Sequence, residues 1–244
     1  MRYKRVLVKL SGGAIAGNKD WGFSPTALNH IADEVLKLHS LGIQVGVVVG
    51  GGNIFRGELG EEWGIERAEA DNIGMIATVT NSLMLRGVLT SRGDVDVRVM
   101  TAIPINTVAE PFIRLRGIRH LEHGHIVILA AGTGNPYVTT DYPSVQRALE
   151  LRAEVLLAAK NGIDGIYTDD PHNNPSAKRY SQINYDTVIQ NKLQALDQSA
   201  VLLARDHDLP IYVFNFDTPD IMCQICKGEN AGTLINNGED ILTS

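Results

Sequence analysis

Cysteine is scarce in this chain, with two residues among 244, so no disulfide framework holds it together and stability must come from a buried core. Aromatic residues are also few, at 6%, which leaves aliphatic side chains to fill that core. No uninterrupted apolar run reaches the roughly 18 residues that span a bilayer. The opening MRYKRVLVKL lacks the layout of a signal peptide. Basic charge is not in excess: 22 Lys and Arg stand against 28 Asp and Glu, a formal net charge of −6. That excludes a general attraction for nucleic acid or anionic membranes, though a local basic patch remains compatible with it. Gly-Lys never occurs, so there is no Walker A loop, and the glycines fit no G-x-G-x-x-G register. A G-x-S-x-G elbow and an H-E-x-x-H zinc helix are also missing. These absences exclude P-loop kinases, NAD enzymes, serine hydrolases and zinc proteases of those types. A cytoplasmic enzyme or binding protein is expected, with no nucleic-acid or membrane partner. At this length one large domain burying roughly 70–75% of its unfolded surface is expected.

What is present centres on residues 126–141, IVILAAGTGNPYVTTD. Ile126–Ala130 is apolar, β-branched and too short for a helix, which reads as a buried strand. It breaks into Gly132-Thr133-Gly134-Asn135-Pro136 and closes on Thr139-Thr140-Asp141 before an amphipathic segment. A buried strand thus delivers a hydroxyl-rich glycine loop to a helix start, where free N–H groups and the helix dipole suit a phosphate. An ordinary strand-to-helix turn is the alternative.

The rest of the chain alternates in the same way. Strands are expected at 5–10, 43–49, 97–100, 155–158, 164–168, 211–216 and 233–236. Helices are expected at 25–41, where Pro25 starts and Gly42 ends the pattern, and at 70–91, about 143–153 and about 193–207. In the 70–91 helix Ile73, Ile76, Ala77, Val79, Leu83, Leu85 and Leu89 recur at helical spacing. The segment 168–182 is polar, carries two prolines and reads as a loop. This βαβα order predicts an α/β fold with a largely parallel twisted sheet covered by helices on both faces. Ligands in such sheets bind at the C-terminal ends of the strands. Three strands there run into small or glycine-rich loops, at 11–13, 50–53 and 132–141.

Several clusters carry less chemistry. Cys223-x2-Cys226 has no further Cys or His nearby to complete a zinc site, and Ile221, Met222 and Ile225 surround it at helical spacing, so structural thiols are expected. His120, His123 and His125 read as a solvated loop with Glu122 rather than a metal site, and no metal ligands are assigned. Arg114, Arg116 and Arg119 form either a solvated helix face or an anion site.

Five motifs in order, KLSGG (9–13), GGGNIFRG (50–57), AAGTGNPYVTTD (130–141), DGIYTDDP (164–171) and LARDHDLPIYVFN (203–215), make the chain similar to the bacterial uridylate (UMP) kinases. These belong to the amino-acid-kinase superfamily. The resemblance runs from about residue 3 to residue 236. It implies a three-layer sandwich forming one domain over 1–244, with the UMP side in the N-terminal part and the ATP side in the C-terminal part. The activity it implies is phosphoryl transfer from MgATP to UMP, with Mg²⁺ accompanying the nucleotide. Lys9, Leu10, Ser11, Gly12, Gly52, Arg56, Asn161, Tyr167 and Asp170 match ATP contacts. Gly51, Asp71 and the run Thr133, Gly134, Asn135, Pro136, Tyr137, Val138, Thr139 and Thr140 match UMP contacts. Lys9 and Asp197 match active-site residues. The resemblance also implies a homohexamer activated by GTP and inhibited by UTP. The GTP segment would be Gly17, Asn18, Lys19, Asp20, Trp21 and Gly22. Gly13 and Tyr142 depart from the family pattern, which usually has Glu and a small residue there.

The residue chemistry is compatible with these roles, each beside a plainer alternative. Lys9 at a strand end is a compact charge suited to a phosphate oxygen. Gly50–Gly52 let the backbone approach phosphates without a Cβ clash. Arg56 can pair bidentately with phosphate or sit in solvent, and Asp71 by itself reads as a helix N-cap. Tyr167 offers a ring to adenine or to the core, and Asp170 could instead start the TDDP turn. Asp197 is expected to orient Lys9 or Mg²⁺, with a solvated helix residue as its alternative. Two other readings of the same fold are a nucleotide-dependent storage or binding protein, and a kinase for a carboxylate or carbamate acceptor.

Overall fold

In the computed structural model, which describes residues 1–171, 173–193 and 195–243, a ten-stranded sheet carries the fold. Its centre is β1 (Arg5–Leu10), paired in parallel with β2 (Gln44–Val49) and β6 (Val155–Lys160). Outward from β2 come β5 (Ile126–Ala130), β3 (Val97–Thr101) and the short β4 (Glu110–Pro111), all parallel. Outward from β6 come β8 (Ile211–Asn215), β9 (Thr233–Asn236), β7 (Tyr180–Asn184) and β10 (Ile241–Leu242). Here β9 runs antiparallel to β8, and β10 antiparallel to β7. The sheet is therefore mixed but mostly parallel, as the alternating pattern predicts.

Helices cover both faces because the central strands are apolar on both faces. Against one face pack α1 (Gly12–Ala16), α2 (Pro25–Ser40), α4 (Arg67–Arg92) and α9 (Ile221–Lys227), around Val6, Val8, Val45 and Val47. Against the other pack α5 (Arg114–Glu122), α6 (Asp141–Glu150), α7 (Tyr185–Gln190) and α8 (Gln198–Asp206), around Leu7, Leu129 and Leu156. The α2 start follows its sequence signals: Ser24 accepts from the Ala27 N–H at 3.3 Å and Pro25 occupies the first turn. The short α3 (Gly57–Glu62) links the glycine loop after β2 to α4.

Three expectations are corrected. Residues 164–168 make no strand, only an isolated bridge from Tyr167 to Arg179. The Ile166 N–H is taken by the Thr233 hydroxyl at 2.9 Å, and a Cβ on Gly165 would lie 2.4 Å from that oxygen, so a β9 side chain, not a strand ladder, holds this segment. The strand forms at the end of the polar segment, as β7. The expected helix near 193–207 begins only at Gln198, with Gln194, like His172 in the polar segment, lying outside the described residues. In α4, Leu85 and Leu89 are fully buried while Ile76 and Met84 face outward. By length and composition α4 would suffice to cross a bilayer, yet its inner side packs along β3 and β5.

Candidate functional site

The ends of β1, β2, β5 and β6 place four loops side by side. The loop after β2 touches the loop after β1 and α4 backbone to backbone: a Cβ on Gly12 would stand 2.5 Å from the Gly52 nitrogen, and one on Gly51 would stand 2.7 Å from the Gly74 carbonyl of α4. Gly52 differs, since a Cβ there would meet nothing within 4 Å, so its free side opens outward. Ser11 caps α1, its hydroxyl accepting from the Ala14 N–H. Two buried amides brace the glycine loop. Asn81 Nδ2 donates to Gly50 O at 2.7 Å and to Asn53 Oδ1 at 2.6 Å, and Asn53 Nδ2 donates to Gly22 O. Sequence reasoning placed Asn53 in the glycine loop without a role and missed Asn81, because a polar residue inside an amphipathic helix carries no signal of its partner.

Strand alternation puts Lys9 on the same face as Leu7, beneath α6. Its Nζ lies 2.7 Å from Asp141 Oδ1, with the Lys9 side chain buried and that of Asp141 partly so. Asp197, expected to orient Lys9 or Mg²⁺, stands beside this pair with its side chain turned to the loop after β5. Its carboxylate accepts from the Thr139 hydroxyl, while its backbone N–H donates to Asp141 Oδ2 at 3.1 Å. Lys160, at the end of β6, lines a cavity with Asp141 and Asp197. Burial works to raise the Asp141 carboxyl, but the Lys9 ammonium, helped by Lys160 and the Asp197 N–H, holds it below the ordinary carboxylate range. Burial pushes the Lys160 ammonium below the ordinary lysine value, as does repulsion from Lys9, with Asp141 and Asp197 opposing. The two charged site residues that the sequence reading left out are thus Asp141 and Lys160. Asp141 closes the organising stretch, and Lys160 precedes Asn161, so position alone could have flagged them.

The loop after β5 turns sharply. Ala131 and Gly132 both have left-handed backbones (φ 61° and 54°), which is costly for the Cβ-bearing Ala131. The Ala131 N–H is held by the buried Thr78 hydroxyl at 2.7 Å. Further on, the Tyr137 N–H donates to Asp71 Oδ2 at 2.7 Å, and Arg67 Nε contacts both Asp71 oxygens. Asp71 is therefore not an N-cap, the position held by Glu66; it ties the loop to α4. A cavity of about 260 Å³ opens between these elements, lined by Gly51, Gly52, Arg56, Asp71, Gly132, Asn135, Val138, Thr139 and Thr140. Thr133, Gly134, Pro136 and Tyr137 do not line it; Tyr137 points outward and Gly134 packs on Ala102.

A second cavity, about 730 Å³, lies across Lys160 and is lined by Ile163, Tyr167, Asp169, Asp170, Lys192 and Val213 among others. The Tyr167 hydroxyl donates to Asp164 at 2.6 Å, and this bond raises the phenol's pKa. Asp169 and Asp170 build a turn, accepting from Asn174 and Asn173 side chains. Asn161 is outside that lining and donates to Asp217. Leu10 is buried in the core below. Segment 17–22 packs against the glycine loop: Arg56 stacks 5.0 Å above Trp21 and reaches the Asp20 carbonyl, and the Gly22 N–H donates to Asn53 O.

The remaining clusters are structural in their contacts. Cys223 and Cys226 are buried in α9. His120 pairs with Glu110 at 3.0 Å and sits beside His125, and among the described residues no group of three His, Cys, Asp or Glu side chains is arranged for a metal. Arg114, Arg116 and Arg119 lie on α5, with Arg116 3.8 Å from Glu110.

Fold and site together define a three-layer α/β protein in which glycine loops and two lysines converge at the strand ends between two cavities. The chain belongs to the amino acid kinase family, whose profile matches residues 4–215. It is 54% identical to a protein called uridylate kinase from Frankia alni over 235 residues, covering 96% of this chain and 92% of that protein. A uridylate kinase from Pediococcus pentosaceus is 45% identical over 239 residues, 98% and 99% of the two chains. Among solved structures, the UMP kinase from Bacillus anthracis superposes with a TM-score of 0.98 at 57% identity, with both chains covered completely.

Proposed function

We propose that this chain is a UMP kinase, moving the γ-phosphoryl group of ATP to UMP and releasing UDP and ADP. The observation that carries the reading is the position of the Lys9–Asp141 pair, with Lys160 nearby, between a small and a large cavity. The full-length similarity to uridylate kinases supports the choice of acceptor.

UMP occupies the smaller cavity, in contact with Gly51, Asp71, Asn135, Val138, Thr139 and Thr140. ATP occupies the larger one, with its base near Tyr167 and Asp170. Its phosphates reach the loop of Lys9, Ser11, Gly12, Gly52 and Arg56. A phosphate monoester is largely dianionic at neutral pH, so the UMP oxygen needs no general base to attack in line. The barrier falls through positioning and charge neutralisation. Lys9 and Lys160 face the transferring group, and Asp141 keeps the two ammonium groups together. Asp197, with Asp141 beside it, would offer a hard oxygen donor to Mg²⁺. When bound, Mg²⁺ neutralises phosphate charge; Asp197 is the residue assigned to hold it.

The reading extends to one domain over 1–244, whose N-terminal part supplies most of the UMP side, in the cytoplasm where these nucleotides are used. It also extends to a homohexamer. The outward apolar side chains of α4, Ile76 and Met84, beside a groove of Thr80, Leu83, Gly87 and Val88, offer a self-association face. GTP activation and UTP inhibition complete it, with segment 17–22 as the GTP contact. A coupled ADP-release assay with UMP, CMP, dUMP and acetylglutamate, run with and without GTP and UTP, tests the reading. Turnover of UMP is expected, and activity confined to a non-nucleotide acceptor would sink it.

A further inference from the structure

Arg147 on α6 is 6% exposed and engaged on three sides. Its Nη2 donates to the Gly132 carbonyl at 2.9 Å, its Nη1 meets Glu150 Oε2 at 2.5 Å, and its Cζ lies 4.0 Å from the centroid of the Phe112 ring. Burying a guanidinium is costly unless its partners are well placed. Here one of those partners is a single main-chain carbonyl, in the middle of the left-handed Ala131–Gly132 turn. Gly132 lines the smaller cavity, whereas Arg147 does not. The turn is thus pinned from α4, by Thr78 on the Ala131 N–H, and from α6, by Arg147 on the Gly132 carbonyl.

We propose that Arg147 is a positioning residue for the acceptor: by holding the Gly132 carbonyl it sets the path of the 133–140 loop that takes UMP. Glu150 and the Phe112 ring hold the guanidinium flat and aimed. A flexible ammonium could reach the carbonyl or Glu150 but could not serve both and stack as well. The inference rests on the UMP-kinase reading above, and it separates the acceptor from the donor, since neither Arg147 nor Gly132 lines the larger cavity.

Steady-state kinetics with UMP and ATP varied separately test it, alongside thermal unfolding. Arg147→Met is expected to raise KM for UMP about tenfold, the scale of one lost hydrogen bond to a charged group, with KM for ATP changed less than about twofold. Arg147→Lys recovers part of that loss, and methylguanidinium added to Arg147→Ala lowers KM for UMP again. Should Arg147→Met fail to fold, Glu150→Gln, at the more exposed end, is expected to raise KM for UMP about threefold through a loosened guanidinium. An unchanged KM for UMP in folded variants overturns the proposal. So does an equal rise in both KM values, or a lowered Tm with normal KM and no methylguanidinium rescue. A wild-type enzyme that turns over another acceptor instead would sink the UMP reading alone, and the same variants would then be read on that acceptor's KM.

Discussion

Lys9 Nζ and Asp141 Oδ1 stand 2.7 Å apart beneath α6, joining the central strand to the helix that follows the glycine loop. Asp141 also accepts from the Asp197 N–H, so one carboxylate connects β1, α6 and the start of α8. Removing it leaves Lys9 and Lys160 without their shared counter-charge. Asp141→Asn is expected to lower kcat by about 10²–10³-fold, the scale of losing one preorganised electrostatic element.

The same residue links stability to pH. The Asp141 carboxyl is depressed in the folded state despite burial, because Lys9 favours the charged form. Its stabilisation is therefore complete above the ordinary carboxylate range and is lost as pH falls through the lower folded value. Urea unfolding should show a gap between wild type and Asp141→Asn at pH 7 that closes below about pH 4. A gap that widens in acid would contradict the pairing.

Lys160 is expected to set an alkaline limit. Burial and Lys9 lower its pKa, so in the free enzyme it loses its charge at lower pH than an ordinary lysine. The profile of kcat/KM, which reports free-enzyme groups, should fall on its alkaline side within that lowered range. Lys160→Arg keeps the charge, and its alkaline limb should move upward by a pH unit or more, since guanidinium titrates above about 12. An unmoved limb would assign it to another group.

Gly12 and Gly52 face each other but should respond oppositely to alanine. At Gly12 the added Cβ collides with main-chain nitrogen at 2.5 Å, and the strain is expected to cost about 1–3 kcal/mol in chemical unfolding. At Gly52 the Cβ meets open space, so stability should stay within about 0.5 kcal/mol. On the proposed phosphate contact, Gly52→Ala should instead raise nucleotide KM about tenfold, because the methyl would fill the open face of the loop.

The two thiols should be inert in the folded protein. Burial, reinforced by Cys223, pushes the Cys226 thiol up to about 12, and burial also raises Cys223, followed by Glu34 and Asp220. With so little thiolate, Ellman's reagent at pH 8 should label neither within minutes, and both after guanidinium unfolding. Rapid native labelling would show that α9 opens.

Much of this was legible in the sequence because it is local. The apolar runs of β1, β2, β5, β6 and β8 needed only composition and length. The starts of the 11–13, 50–53 and 132–141 loops needed only glycine after a buried strand. Reading 164–168 as a strand failed because its hydrogen bonds go to the Thr233 hydroxyl and to the Arg179 bridge, partners remote in sequence. Strand β7 was missed because Tyr180, Ser181, Gln182 and Asn184 are only partly buried, with Ile183 alone deep in the core. Ile76 in α4 was placed with the core residues by periodicity, yet it faces outward.

The sequence by itself determined the alternation of strands and helices, the mostly parallel sheet and the glycine loops at its C-terminal edge, since hydrophobic period and turn chemistry act over a few residues. Tertiary structure alone decided which charges meet. The contact of Lys9 with Asp141 rather than Asp197, the approach of Lys160, and the grip of Arg147 on Gly132 follow from packing α6 onto β1. Ion pairs and side-chain hydrogen bonds depend on distances of a few ångström, and only the assembled sheet brings these distant parts of the chain that close.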